Sequence, residues 1–162
     1  MPAVVCNTSP IQYLWQSKVL SSLPQLFQHV LIPEAVGAEL EVGRQQGVDL
    51  PDIDTLPWLE VHSLRKRELL PLVNQLGDGE KEVLAVGLEF SDSLLLLDDR
   101  FARRHAEALG IKVTGTLGVL LLAKEEGLIP EVCPIVEKLE LLGFRLDEQT
   151  RHAVLEKAGE FC

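Results

Sequence analysis

Two apolar runs with no polar residue inside them, AVVC at 3–6 and LLLL at 94–97, set the strongest limit on how this chain folds. A strand with one face in water alternates apolar and polar side chains. A run without that alternation is buried on both faces, as the central strands of a parallel sheet are. Parallel neighbours need a crossover between them, and amphipathic segments of helical period fill the gaps. Further strand candidates are 29–32 (HVLI), 58–61 (WLEV) and 111–113 (IKV), which are more polar and so nearer the edges. Helices are expected at 10–17, 21–27, 33–45, 67–76, 79–90, 99–109, 116–126, 133–142 and 147–158. Pro10 and Pro33 suit first turns, and Gly110 and Gly127 suit C-terminal ends. The expected class is α/β, with a central parallel sheet of about five strands, in a single domain over 1–162. The one loop-like segment, 46–57, is too short for a domain linker.

Charge narrows the partners. There are 15 Lys+Arg against 25 Asp+Glu, a formal net charge of -10. Such a field repels phosphate backbones and anionic membranes except at a local basic patch. Arg65, Lys66, Arg67, Arg100, Arg103 and Arg104 are the residues available for one. No apolar stretch approaches the roughly 20 residues that span a bilayer, and the N-terminus lacks a signal-peptide pattern. A cytoplasmic protein with no membrane partner is expected. Cys6, Cys133 and Cys162 are odd in number and far apart, without metal-ligand spacing, and are expected as free thiols.

Open parallel sheets bind ligands outside the carboxyl ends of their strands. Asn7 and Asp98 directly follow the two most buried-looking strands, so they should meet at that edge, with Asp99 beside them. One of the two aspartates is expected to cap the helix near Arg100; a second exceeds what a cap needs. Helical periodicity places Glu39 at the border of the stripe Ile32, Val36 and Leu40, and aligns Glu80 with Leu84 and Leu88. Glu82 and Glu89 fall on a more polar side, Asp78 is expected to cap its helix, and Ser9 is expected to cap the helix opened by Pro10. Gathered carboxylates repel one another unless a cation neutralises them. Oxygen ligands without His or Cys point to Mg²⁺ or Mn²⁺.

The segments NTSP, IPEAVGAEL, LGDGEKEVLAV, LLLLDDRFARRHAEALGI and VTGTLGVLLLAKEEGLI, in this order over nearly the whole chain, resemble the PIN-domain superfamily. More narrowly, they are similar to its branch of predicted nucleic-acid-binding proteins, the domain of unknown function 3368. The resemblance implies a three-layer α/β/α domain and a divalent-metal nuclease centre of a few acids, as in ribonuclease toxins of VapC type. Carried over by position, the metal ligands fall on Asn7, Glu39, Glu80 and Asp99, and the catalytic acids on Glu39, Glu80, Asp98 and Asp99. Thr8 and Ser9 match the hydroxyl residues after the first acid, and Thr114 and Thr116 the turn after the fifth strand. With Arg100 they are the substrate-binding candidates.

Asn7 departs from the pattern, since the wider superfamily has Asp there. Its amide oxygen can coordinate a metal but brings no charge and cannot act as a base. The implied function is a Mg²⁺- or Mn²⁺-dependent endoribonuclease or nuclease-like protein, including a toxin–antitoxin component. The alternative is a catalytically weak or inactive module that binds RNA or a protein. A phosphatase with an aspartate nucleophile after the first strand is disfavoured by Asn7. Expected partners are single-stranded RNA, an antitoxin protein and a second copy of the chain.

Overall fold

Residues 2–73 and 75–162 are described by the computed structural model. The strands are β1 (Ala3–Cys6), β2 (Val30–Pro33), β3 (Leu59–His62), β4 (Ser93–Leu96) and β5 (Lys112–Thr114). The helices are α1 (Thr8–Gln16), α2 (Ser22–Phe27), α3 (Glu34–Gln45), α4 (Asp78–Leu88), α5 (Arg100–Ala108), α6 (Thr116–Glu125), α7 (Cys133–Leu141) and α8 (Glu148–Ala158). All five strands pair in parallel, in the order β3-β2-β1-β4-β5, and helices flank the sheet in a three-layer α/β/α arrangement.

The two unbroken apolar runs are the central neighbours, with Val5 opposite Leu95 in register. Val5, Leu95 and Leu96 are fully buried, as two-sided burial requires. From β1 the chain moves outward to β2 and β3, then returns and builds β4 and β5 on the other side. The direction of winding therefore reverses between β1 and β4. At such a switch point the flanking crossovers diverge and leave a crevice at the carboxyl edge. Asn7 and Asp98 stand on either side of it.

Most boundaries differ from the sequence expectation by a residue or two, the scatter inherent in helix and strand ends. The expected helix at 67–76 is instead a 3-10 helix over Arg67–Val73. Pro71 inside it lacks an N–H and disfavours the α conformation of Leu70, so a regular helix cannot run through; residue 74 lies outside the described residues.

Glu89 is not on a solvated face. Its side chain is only 6% exposed, and it accepts hydrogen bonds from the His62 ring (3.1 Å) and from the N–H groups of Arg65 (2.6 Å) and Lys66 (3.0 Å). Burial opposes its charge, but these donors outweigh it and hold the carboxyl below its usual range. A depressed folded pKa stabilises the native state above the unfolded value of about 4.3, and that contribution disappears as pH falls through the folded value. Between about pH 5 and pH 3, Glu89→Gln should therefore show a flatter decline of melting temperature than the wild type. Parallel declines would remove Glu89 from the acid response.

The thiols also depart from expectation. Cys6 is free and buried, whereas Cys133 and Cys162 form a disulfide across a sequence separation of 29. Glu160 explains how the tail returns to α7. Its carboxylate accepts from the N–H groups of Val132 (2.8 Å) and Cys133 (2.9 Å) and from Lys124 Nζ (2.7 Å). Burial opposes the charge of Glu160, and Lys124 with the two amides still keeps its carboxyl below the usual range. Among the described residues, no helix is long and apolar enough to cross a membrane.

Candidate metal centre

Asn7 links β1 to α1 as the N-cap, with an extended backbone (φ -85, ψ 172). An N-cap side chain normally accepts from the second or third helical N–H. Here the third helical residue is Pro10, which has none, and the Asn7 side chain makes no capping bond. Its Oδ1 is buried without a hydrogen-bond partner among the described residues, in a residue only 5% exposed. An orphaned buried carbonyl costs about 1–3 kcal/mol unless something pairs with it.

That oxygen faces the first turn of α4. A Cβ placed on Gly79 would lie 3.1 Å from Asn7 Oδ1, 2.8 Å from Glu39 Oε1 and 3.2 Å from Glu39 Oε2. The absent side chain of Gly79 thus opens a space between an amide oxygen and a carboxylate. Glu39 is more exposed than its place beside the buried stripe suggests; it reaches the space from α3, oriented by a hydrogen bond from the Thr8 hydroxyl. Glu80, one residue past Gly79, points back toward the N-terminus of α4, its Oε2 3.0 Å from where a Gly77 Cβ would lie. Asp78 is the first residue of α4 and its side chain is 90% exposed, so it does not cap the helix as expected.

The adjacent aspartates divide two jobs. Asp99 caps α5, its Oδ2 accepting from Ala102 N–H at 2.8 Å. Asp98 turns inward. Its Oδ1 accepts from Thr116 N–H (2.7 Å), and its Oδ2 from the hydroxyls of Thr116 (2.7 Å) and Ser9 (3.0 Å). Ser9 therefore ties α1 to Asp98 instead of capping a helix that already begins at Thr8. Thr116 is fully buried, so it is placed to hold Asp98 and not to meet a substrate. Behind Asn7, burial and the Asp98 charge push the Cys6 thiol well up, leaving it protonated and inert.

Asn7, Ser9, Glu80, Asp98, Asp99 and Arg100 line one cleft of about 550 Å³, together with Tyr13 and the turn Gly143–Arg145. A second cleft, about 600 Å³, holds Thr114, Arg100, Arg103 and Arg104. Arg65 and Lys66 are elsewhere, beside Glu89 at the end of α4, about 15 Å of helix away from Gly79. No local sequence pattern marks Tyr13, Phe144 or Arg145 as lining residues. The use of Gly79 as empty space depends on α3 and β1 arriving opposite it, which no local pattern marks.

The donor set is amide and carboxylate oxygen, which fits a hard divalent cation. Such an ion would pair with the orphaned Asn7 Oδ1 beside the space at Gly79. The cleft acids do not form a tight cage: among the described residues, the group of metal-ligating atoms within 4.8 Å of one another is Cys133, Glu137 and Cys162. Both of its sulfurs are consumed by the disulfide. A loose site suits Mg²⁺, which keeps several waters and is commonly held by one or two carboxylates plus substrate phosphate.

The sequence model of a family described as PIN domain matches residues 3–160. No curated protein matches the chain.

Proposed function

The chain belongs to the PIN-domain family, which is nuclease-like, and on that premise we propose that it is a Mg²⁺- or Mn²⁺-dependent endoribonuclease acting on single-stranded RNA. The observation that carries this reading is the unpartnered Asn7 Oδ1, buried opposite Glu39 across the space left by Gly79. Asn7, Glu39, Glu80 and the second oxygen of Asp99 would hold the ion. When bound, the ion supplies a water of lowered pKa and stabilises charge developing on phosphate. The remaining work belongs to the chain. Thr8 fixes the direction of Glu39, while Ser9 and Thr116 lock Asp98 between the cleft and the β5–α6 turn. Arg100 stands at the mouth, where a phosphate oxygen would meet it. In this reading the domain spans 1–162 and works in the cytoplasm. An antitoxin protein and a second copy of the chain are its expected protein partners.

One observation favours the weaker alternative of a binding module. Asn7 carries no charge, so the centre attracts a cation less than an all-carboxylate site would. Cleavage of a labelled single-stranded RNA in Mn²⁺ separates the two readings. Glu39→Gln and Glu80→Gln should each reduce the rate by at least about 100-fold without lowering the metal-free melting temperature. Excess chelator should abolish it. Cleavage that survives chelation, or that both variants retain, contradicts the nuclease reading.

A further inference from the structure

The acid-lined cleft and its cation-lined neighbour are not separate: Asp98, Arg100, Phe144 and Arg145 line both. The turn between α7 and α8 supplies the joint, with Arg145 exposed on it. Phe144 is half-buried and fixed edge-on against Tyr13, ring centroids 5.0 Å apart at 89°. The second cleft brings five cations, Arg100, Arg103, Arg104, Arg145 and Lys157, against three carboxylates, Asp98, Glu107 and Asp147. Arg100 is paired with Asp147 at 3.5 Å. Among the described residues, Arg104, Arg145 and Lys157 have no carboxylate partner within salt-bridge distance. A chain of net charge -10 repels polyanions over most of its surface. A concave excess of unpaired cations opening into the acidic cleft is where an approaching phosphate backbone would be drawn.

We propose that this cation-lined cleft seats the phosphates flanking the one presented to Asn7, so that a single strand runs from Lys157 and Arg104, past Arg145, into the acidic cleft. The proposal rests on the nuclease reading for the direction of the strand, not for its binding. Guanidinium and ammonium groups pair with successive phosphates, and the Phe144 ring at the joint gives a base a surface on which to stack. A single strand is required because Asn7 lies at a buried floor. Only a backbone free to bend and splay its bases can lower a phosphodiester there.

The test is fluorescence anisotropy of labelled oligo-uridine with the full chain in chelator, where no cleavage occurs. Wild-type affinity should fall steeply with salt. Arg145→Ala, Lys157→Ala and Arg104→Ala should each weaken binding about tenfold at low salt and reduce the slope of log K against log salt by about 0.7. Their Mn²⁺-dependent rise in melting temperature should match the wild type, which shows that the centre and the fold are intact. Oligo-deoxyuridine distinguishes DNA from RNA as the source of the phosphates. No binding of either strand, an unchanged slope in all three variants, equal affinity for a duplex, or equal affinity for polyglutamate would each overturn the proposal. If the salt-dependent binding and its loss in Arg145→Ala hold while Mn²⁺ neither stabilises the protein nor supports cleavage, this cleft stands and the nuclease reading fails.

Discussion

Asp98→Ala is expected to destabilise the protein by about 3–5 kcal/mol, corresponding to a melting temperature about 10 °C lower for a chain of this size. Three donors converge on that carboxylate from two other parts of the fold, Ser9 on α1 and both groups of Thr116 on α6. Thr116 N–H is one of the unpaired donors at the start of α6, which Gly115 caps without a side chain. Thr116 is also fully buried, so removing Asp98 strands an amide and a hydroxyl that the carboxylate had paired. Asp98→Asn should lose roughly half as much, because one oxygen remains for Thr116 N–H while the amide nitrogen meets a hydroxyl. Urea unfolding at 25 °C reads both values. A loss below about 1 kcal/mol for the alanine variant would show that water takes over the carboxylate's bonds.

Gly79→Ala is expected to abolish metal binding while leaving the metal-free fold as stable as the wild type or more so. The added methyl carbon would lie 2.8 Å from Glu39 Oε1 and 3.1 Å from Asn7 Oδ1, filling the space between the two donors. The Glu39 carboxylate is at the far end of a flexible, exposed side chain and can swing away, giving up only its bond from the Thr8 hydroxyl. The helix meanwhile gains up to about 1 kcal/mol from replacing glycine with alanine. In the wild type, saturating metal at about 100 times Kd should add about 2.7 kcal/mol of stability. In the variant that increment should vanish. The two effects have opposite signs, so melting with and without Mn²⁺ separates loss of the site from damage to the fold. An equal metal-dependent shift in both proteins would place the ion somewhere other than Gly79.

The sheet was legible in the sequence because its central strands carry unalternating apolar runs, and nothing but two-sided burial makes AVVC and LLLL economical to fold. Asn7 and Asp98 were legible for the same reason, since they follow those strands. The sorting of Asp98 from Asp99 was not. Two identical neighbours differ only in what returns to meet them, and Thr116 reaches Asp98 from 18 residues away. Glu89 looked solvated on a helical wheel, because the wheel does not know that the segment after β3 folds over the end of α4. The Cys133–Cys162 pairing depends on Glu160 folding the tail onto α7, a contact between residues with no shared pattern. Arg145 lies in an unmarked turn, and its importance is purely its position between two clefts.

Calorimetric titration of Mn²⁺ into the wild type and Asn7→Asp tests the central claim, that the orphaned amide oxygen of Asn7 belongs to a divalent-metal site. A carboxylate at this position adds Coulomb attraction for the ion in a partly desolvated cleft and, without metal, adds repulsion to Glu39 and Glu80. Saturable heat is expected with the wild type and tighter binding with Asn7→Asp, whose metal-free form should melt lower than the wild type. Absence of binding heat in both proteins, with no stabilisation of either by metal, would contradict it and leave Asn7 as a turn residue between β1 and α1.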